Sequence, residues 1–499
     1  MNNNLRSVRA LSFIIIVAVL LGMISGCAPG KAEEEYIPLI EVPSDAPTLV
    51  VDVNSRDHEI IHGSAGFLYG ISNEGVPDVN TLTPLKPKVL ATKGALGTEH
   101  PYGDALDVAE EFFLAGGEQV QMYCSNYYGV FGVTAKAHDY GVVLKNIIAP
   151  AVAEWKDGMR GKYPDIDSRI VYIPINEGTP VNGVPDFNDA WKIYYDSIKA
   201  SDPNASIAGP NDSSYRGHNG MASFLQFCTE NDCMPNVVTW HELAVSSLSN
   251  MDKHIADYRS ICAELGIEEK QVVINEYADF CDCGVPRRLV NWIARLEENR
   301  VYGCLPFWHQ ANNLNDLAAD SNQGNGAWWV YKWYGDMSGE TLELSALNTG
   351  KEGFYGIASI YDGKKSISVM CGGTDGEAAV RLEGLDKTEA FKNADRVRVT
   401  VEASYFTGYH GAQYEPDTVL DGVFPVTNGK VDILLSDVKF STAYRLTVTN
   451  TDEDISAPAI GSFRAVYETE NAVLKGSLIT DEQSSPVEYP PITARAESA

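Results

Sequence analysis

Two short β-type runs of the chain each end in an Asn-Glu pair, and the two glutamates could act together. The run IVYIPINEG contains Asn176 and Glu177, and the run QVVINEYADF contains Asn275 and Glu276. Two carboxylates facing each other across a pocket can cleave a glycosidic bond, because one protonates the leaving oxygen while the other attacks the anomeric carbon. We therefore predict a catalytic pair, and a separation of about 5–5.5 Å would give a retaining mechanism.

Both runs belong to a longer pattern in which strand-like and helix-like segments alternate. Amphipathic stretches with apolar residues at three- and four-residue intervals separate the strands. The eight predicted strands are GFLYGIS (66–72), KVLATKG (88–94), EQVQMYC (118–124), IVYIPIN (170–176), SIAGPN (206–211), NVVTWHE (236–242), QVVINE (271–276) and VYGCLPFW (301–308). Eight βα units, with no glycine-rich phosphate loop after the first strand, favour a closed (β/α)8 TIM barrel over an open doubly wound sheet.

The spacing of the two glutamates supports such a barrel. They lie 99 residues apart, which is three units of 33, so Glu177 falls on strand four and Glu276 on strand seven. Catalytic groups of these barrels lie at the C-terminal ends of the strands. Both carboxylates are therefore expected at the mouth of the barrel, on opposite sides of one pocket. Glu242, at the end of strand six, is the rival carboxylate.

The periodicity changes after the last predicted barrel helix, and this change marks a second domain. Residues 339–450 hold short alternating runs separated by Gly, Asp and Asn, which is typical of an antiparallel β-sandwich. We expect the barrel over 48–338, although its first run, TLVVDVN, could instead complete the sandwich. The acidic tail 451–499 contains AVYETENAVLKG, which resembles the opening strand of carbohydrate-binding modules of families 6 and 35 and could be a truncated module.

The first 26 residues predict a signal peptide. Two arginines precede an apolar run from Leu11 to Leu21, which falls short of the ~20 residues that a bilayer-spanning helix requires. The sequence ISGC resembles a bacterial lipobox, which implies lipidation of Cys27 and anchoring at the extracellular or periplasmic face of a membrane. The alternative is an ordinary cleaved signal with an incidental cysteine. Residues 27–47, rich in Pro, Glu and Ala, predict a tether.

Composition limits the partners of the chain. Its 499 residues are 44% hydrophobic, which predicts a globular protein with more than one core. The formal net charge of −30 would repel nucleic acid and anionic membrane surfaces, so neither is an expected partner.

Cysteine spacing leaves two possibilities open. Eight cysteines remain besides Cys27, and export would permit disulfides. Cys228 with Cys233, or Cys281 and Cys283 with some partner, are candidates, while buried free thiols fit the sequence equally well. No cysteine spacing matches a zinc site, and we expect neither a metal nor an organic cofactor.

The order and spacing of these motifs resemble those of clan A glycoside hydrolases, and of family 39 in particular, over roughly residues 48–450. The resemblance implies that Asn176 binds the sugar 2-hydroxyl, that Glu177 is the general acid/base and that Glu276 is the nucleophile. In that arrangement the pKa of Glu177 would be raised by the charge of Glu276 nearby. The chain departs from the family in its second Asn, which precedes the proposed nucleophile.

The same resemblance implies further sugar-binding residues. His241 on strand six would lie beside the nucleophile, and Trp308 on strand eight would lie under the sugar, although His241 could be a satisfied rim histidine and Trp308 could serve packing. Tyr69, His100 and Asp104 are weaker binding candidates. Three tryptophans at helical spacing are expected in the core: Trp328, Trp329 and Trp333.

The implied activity is a retaining hydrolysis of glycosides in plant-wall or similar polysaccharides, with an oligo- or polysaccharide as partner. A β-linked xylose is the first expectation for the sugar, and arabinofuranosides, galactosides and glucosides remain open. The membrane would be contacted only through the N-terminal lipid. A surface lipoprotein that binds glycans without hydrolysis is the second hypothesis, and a structural or adhesive lipoprotein is the third.

Overall fold

The structure is a computed structural model, and it describes residues 41–72, 75–99, 102–129, 135–177, 183–306, 314, 317–319, 322–349, 353–408 and 411–460. Cys27, His100 and Trp308 lie outside these residues, as does the predicted signal peptide. Among the residues described, no helix combines the length and the apolar character needed to cross a bilayer.

A closed barrel of eight parallel strands forms the larger part of the fold. With Thr48–Glu59 counted as β1, the barrel strands are β2 (Phe67–Leu68), β3 (Val89–Lys93), β4 (Gln119–Tyr123), β5 (Ile170–Ile173), β6 (Ser206–Asp212), β7 (Val237–Glu242), β8 (Gln271–Tyr277) and β9 (Tyr302–Gly303). The backbone N–H of Leu68 donates to Leu305 O at 3.0 Å, which closes the last strand onto the first. The predicted (β/α)8 barrel is confirmed.

Helices surround the barrel and connect its strands. They are α1 (Val79–Leu82), α2 (Ala105–Leu114), α3 (Ala137–Val143), α4 (Ala149–Met159), α5 (Ile166–Arg169), α6 (Phe187–Lys199), α7 (Gly217–Glu230), α8 (Ser247–Leu265), α9 (Pro286–Glu298) and α10 (Gly326–Asp336). A π-helical turn, Leu144–Ile148, joins α3 to α4. In α6 the side chain of Asp186 caps the first turn, and the buried residues recur at the spacing of one helical face.

Alternate residues of the barrel strands face two different cores, as the two-residue period of a strand requires. Val171, Ile173 and Val273 pack inside the barrel. Ile170 and Tyr172 point outwards and pack against the helices. This alternation directs every second side chain at a strand end towards the barrel axis, where the site lies.

The second sheet has ten strands and is largely antiparallel. After a short hairpin of β10 (Ala318–Ala319) and β11 (Gln323–Gly324), its strands are β12 (Glu340–Leu347), β13 (Tyr355–Tyr361), β14 (Ser366–Gly372), β15 (Gly376–Glu383), β16 (Arg396–Ser404), β17 (Asp417–Pro425), β18 (Val431–Val438), β19 (Ala443–Asn450) and β20 (Ser456–Ile460). Their order is β18-β15-β1-β12-β13-β14-β19-β16-β17-β20. Strands from both ends of this order share one buried core, so the sheet folds over on itself as a sandwich.

Two strands of this sheet come from outside the range 339–450 expected for the sandwich. β1 lies within the sheet, antiparallel to β12 and parallel to β15, so the chain segment before the barrel contributes to the second domain. β20 pairs with β17, and the sheet therefore extends to Ile460.

The structure also shows the state of the helical tryptophans and of the cysteines. Trp333 is buried as predicted, but Trp328 and Trp329 are half-buried, because they lie in the first turn of α10, where the helix begins at the barrel rim. The eight cysteines in the described part of the chain are free thiols. Cys228 and Cys233 nevertheless contact each other through their thiols.

Candidate active site

Glu177, Glu276 and His241 meet at the C-terminal mouth of the barrel. His241 Nδ1 lies 3.2 Å from Glu177 Oε1 and 3.5 Å from Glu276 Oε2. One ligand atom from each of the three side chains lies within 4.8 Å of the other two. The fold thus brings together one carboxylate that follows the fourth barrel strand and one that lies at the end of the seventh.

The closeness of the carboxylates decides which glycosidase geometry they fit. Retaining enzymes hold their two carboxyl groups about 5–5.5 Å apart, whereas inverting enzymes need about 6.5–9.5 Å to admit a water molecule. An oxygen of Glu177 and an oxygen of Glu276 lie within 4.8 Å. The two carboxylates are therefore closer than an inverting pair and fit a retaining one.

Strand alternation separates His241 from its neighbours on β7. His241 is fully buried and faces the two carboxylates. Glu242 accepts hydrogen bonds from Trp240 Nε1 at 2.8 Å and pairs with His254 Nδ1 at 2.6 Å. The rival carboxylate thus points to the helix side of the strand.

A relay of three asparagines joins the strand ends that carry the carboxylates. Asn275 Nδ2 donates to Asn211 Oδ1 at 2.6 Å, and Asn211 Nδ2 donates to Asn176 Oδ1 at 2.8 Å. The backbone N–H of Glu177 also donates to Asn211 O at 3.0 Å. Both Asn211 and Glu177 have left-handed backbones, with φ of 63° and 50°, a conformation that costs energy for side chains with a Cβ. The relay stabilises that loop and holds the side chain of Asn176 in place next to the Glu177 backbone.

Two tyrosines lie beside Glu276 on the side of the first barrel strands. Tyr123 OH donates to Glu276 Oε1 at 3.0 Å. Tyr69, a predicted binding residue, donates from its hydroxyl to Glu99 Oε2 at 2.8 Å and also lies 3.3 Å from Asn126 Oδ1. The two tyrosine rings pack edge to face with centroids 5.9 Å apart. Tyr69 therefore packs against the tyrosine that contacts Glu276.

Sequence reasoning missed several of these polar groups, namely Tyr123, Asn211, Glu99 and Asn126. The available signal was position, because Tyr123 is the last residue of β4 and Asn211 is in the last two residues of β6. Side chains at C-terminal strand ends of such a barrel are candidates for the site.

The electrostatics of the site differ from the sequence expectation. The hydrogen bond from His241 lowers the pKa of Glu177, whereas burial raises the pKa of Glu276 to about 7. Burial disfavours the charged form of His241, but the negative charge of Glu276 and the hydrogen bond to Glu177 outweigh it and raise the pKa. The expected rise in the pKa of Glu177 is therefore wrong, because His241 lies closer to Glu177 than to Glu276.

Asp104 has a structural role at the rim. Its carboxylate accepts from Leu106 N at 3.1 Å and from Leu96 N at 2.8 Å, so it caps α2 and fixes the preceding loop. Its contact with sugar stays a prediction, as do those of His100 and Trp308, which lie outside the described residues.

One imidazole and two carboxylates are also a possible metal-ligand set. A ligating histidine normally donates its second ring N–H to a carboxylate or carbonyl. Nε2 of His241 is buried and finds no hydrogen-bond partner among the residues that the structure describes. Among the described residues, the surroundings of His241 thus lack this feature of a metal centre.

Known proteins resemble this chain in sequence. No protein-family model matches it. A 3-O-α-D-galactosyl-α-L-arabinofuranosidase of Bifidobacterium longum subsp. longum is 28% identical over 81% of this chain and 40% of its own length. A 3-O-β-L-arabinopyranosyl-α-L-arabinofuranosidase of Bifidobacterium pseudocatenulatum is 28% identical over 87% of this chain and 51% of its own length. The aligned part of the chain thus spans about half, or less, of the length of these relatives.

Solved structures share the fold. A structure from Neocallimastix frontalis has a TM-score of 0.68 at 27% identity, covering 81% of this chain and 100% of that one. A family 39 glycoside hydrolase from Xanthomonas axonopodis pv. citri has a TM-score of 0.54 at 12% identity, covering 81% and 98%. The predicted resemblance to family 39 glycoside hydrolases is thereby confirmed at the level of the fold.

Proposed function

We propose that the protein is a retaining glycoside hydrolase in which Glu276 and Glu177 act as nucleophile and general acid/base. The observation that carries this proposal is the pair of carboxylates within 4.8 Å at the ends of the fourth and seventh barrel strands. A non-hydrolytic glycan-binding protein would have no need of this separation.

The reaction proceeds by double displacement. In the first step a carboxylate oxygen of Glu276 attacks the anomeric carbon, the bond to the leaving oxygen breaks, and Glu177 gives that oxygen its proton. In the second step Glu177 takes a proton from water, and the resulting hydroxide attacks the same carbon and releases Glu276. The protein regains its starting protonation.

The proton must move before the first step. In the free site the low pKa of Glu177 and the pKa of Glu276 of about 7 favour a proton on Glu276, which is the wrong carboxylate for attack. His241 Nδ1 contacts both groups. It is therefore placed to pass the proton to Glu177 when a sugar displaces water and contacts Glu276.

An α-L-arabinofuranosyl group is the sugar that the sequence relatives favour. Both curated relatives are named as α-L-arabinofuranosidases, and they align with 81% and 87% of the chain. The β-xyloside expected from the family 39 resemblance depends on structures that share the fold at low identity. We place the arabinofuranoside first and the β-xyloside second.

A panel of nitrophenyl glycosides tests the activity and the sugar together. We expect the highest kcat/KM on the α-L-arabinofuranoside. In buffer containing methanol we expect methyl α-L-arabinofuranoside as the transfer product, because a retaining enzyme transfers the sugar without changing its anomeric configuration. A methyl glycoside of the opposite anomer would overturn the retaining mechanism. Tight binding of glycans without hydrolysis of any aryl glycoside would favour the non-catalytic alternative.

Lipid anchoring at Cys27 is a separate part of the proposal. It is supported by the ISGC sequence after an apolar run. We expect wild-type protein expressed in bacteria to incorporate labelled palmitate and the Cys27→Ser variant to incorporate none. Equal labelling of both would show that the cysteine is incidental.

A further inference from the structure

A cavity of about 320 Å³ opens on the barrel rim away from the carboxylate pair. We call it the rim groove, and its principal lining residues are Asp78, Asn80, Asn322, Trp328, Trp329 and Tyr414. Glu177, Glu276 and His241 do not line it. It is therefore a different site from the one that would perform hydrolysis.

Chain topology places the rim groove on the catalytic face of the barrel. Asp78 caps α1, which follows the first barrel strand, and Asn325 caps α10, which follows the last. In a (β/α)8 barrel the loops that lead from strands into helices lie at the C-terminal ends of the strands, with the active site. A long substrate held at the mouth can thus extend towards the groove.

The walls of the groove are held in place by hydrogen bonds. Trp328 Nε1 donates to Thr81 O at 3.0 Å, and Trp329 Nε1 donates to Gln413 O at 2.6 Å. The two indole rings lie perpendicular, with centroids 5.1 Å apart. Asn322 Oδ1 accepts from Asp78 N at 2.7 Å and so links the two rim loops. The aromatic surfaces are preorganised, which reduces the entropy lost when a ligand binds.

The lining has the chemistry of a carbohydrate site. The side chain of Tyr414 is 79% exposed, and the tryptophans beside it are half-buried. Exposed amides from Asn80 and Gln323 lie beside these rings, and the lining residues that the structure describes include no Lys or Arg. Aromatic surfaces among a few polar groups suit a ligand that has both apolar C–H faces and hydroxyls. The absence of a cation and a net charge of −30 disfavour an anionic ligand.

We infer that the rim groove is an accessory saccharide-binding site that holds a neutral polysaccharide chain outside the catalytic pocket. This inference goes beyond the proposed hydrolysis, because the groove would bind a polymer whether or not the carboxylate pair cleaves it. Its expected effect is greater affinity for polymeric than for small substrates.

Affinity electrophoresis in gels containing soluble arabinoxylan or arabinogalactan tests the inference. The full chain carries Glu276→Ala as background so that the polymers stay intact, and Tyr414→Ala is compared with Tyr414→Phe, which keeps the ring. We expect Tyr414→Ala to weaken binding of at least one polymer by roughly threefold to tenfold, the value of an aromatic contact. Trp329→Phe should weaken the same polymer, and Tyr414→Phe should bind as the background does.

Activity on a nitrophenyl glycoside, measured with Glu276 intact, separates this inference from the proposed function. We expect Tyr414→Ala to keep kcat and KM within twofold of wild type. In the gels, the inference is overturned if neither polymer retards the protein, or if Tyr414→Ala and Trp329→Phe bind both polymers as the background does. In the activity assay, it is overturned if Tyr414→Ala loses activity on the small substrate as well.

Discussion

His241 controls the protonation of both carboxylates because its Nδ1 contacts each of them. In the free protein the last proton of the pair leaves Glu276 at about pH 7. Since one carboxyl must be protonated for catalysis, kcat/KM should fall as pH rises through about 7. It should also fall at low pH, below the usual pKa of a glutamate, where Glu177 and Glu276 are both protonated.

Replacing His241 by Gln should move both limbs of this pH profile upwards. The hydrogen bond of His241 lowers the pKa of Glu177, and its charge lowers the pKa of Glu276, so both values rise when it is removed. The measurement is kcat/KM against pH for wild type, His241→Gln and the control His254→Gln. His254 pairs with Glu242 on the other face of β7, and its replacement should leave both limbs unmoved. Unchanged limbs in His241→Gln would refute this role.

Tyr123→Phe should weaken the nucleophile without removing it. The hydrogen bond from Tyr123 to Glu276 Oε1 stabilises the ionised carboxylate, so its loss raises the pKa of Glu276. A hydrogen bond to a charged group contributes about 1.5–3 kcal/mol, which predicts a fall in kcat/KM of roughly 10- to 100-fold at neutral pH. Steady-state kinetics with a nitrophenyl glycoside measures it. Activity equal to wild type would contradict the contact.

Among the individual residues of the site, the sequence could predict Glu177, Glu276 and His241, because each is a polar residue at the end of an apolar run. Tyr123 could not be distinguished in the same way. A tyrosine at the end of QVQMY is as suitable for a core as for a site, and only the closed barrel aims its hydroxyl at Glu276. The pKa order of the glutamates likewise depends on which carboxylate His241 approaches more closely.

Strand ends form the next level of organisation, and the asparagine relay connects three of them. Asn211→Ala should remove the hydrogen bonds to Asn176 and from Asn275. Two polar groups then lose their partner near a buried site, so we expect a loss of about 1–3 kcal/mol in the free energy of unfolding. We also expect a fall in kcat of roughly tenfold or more, because the loop carrying Glu177 loses its support.

Thermal unfolding and kinetics measured on the same preparation check this prediction. Asn204→Ala, an exposed asparagine before the same strand, is the matched control and should change neither quantity. A normal kcat in Asn211→Ala would show that the relay does not position the acid/base.

The elements themselves were largely predictable, since β-branched runs alternating with amphipathic stretches identify βα units. Their exact ends were not. The fourth barrel strand ends at Ile173 rather than at Asn176, because the backbone turns into the left-handed region at Glu177, held by Asn211. That turn depends on Asn211, which lies 34 positions further along the chain. A pattern in the local sequence carries no information about so distant a contact.

In the whole molecule, the segment before the barrel forms β1 and becomes a strand of the sandwich. It lies between β12 and β15, so the second domain cannot complete its sheet without residues 48–59. The sequence indicated a β-rich second domain and left the place of TLVVDVN open, because pairing between distant segments depends on the tertiary fold.

Leu49→Ala tests how much β1 contributes. Leu49 is fully buried in the sandwich core, and truncation of a buried leucine costs about 2–5 kcal/mol. Leu347→Ala is the control, since Leu347 lies on the neighbouring β12 but is 47% exposed and should cost far less. Chemical denaturation of the two variants measures the difference. Equal losses would show that β1 does not support the core.

The two glutamates and their roles are the centre of this account, and azide rescue of their alanine variants tests them most directly. Glu276→Ala should lose at least ~10⁴-fold in turnover, as when other catalytic nucleophiles are removed. Azide can then enter the space left by the carboxylate and attack from that face, which gives a glycosyl azide of inverted configuration. Glu242→Gln, which alters the rival carboxylate, should stay active without azide.

Glu177→Ala should keep activity only on glycosides with good leaving groups, and azide should intercept its glycosyl-enzyme to give an azide of retained configuration. NMR of the two azide products gives the answer. Inverted product from Glu276→Ala and retained product from Glu177→Ala is the result we predict. The opposite assignment, or full activity of either variant without azide, would contradict the account.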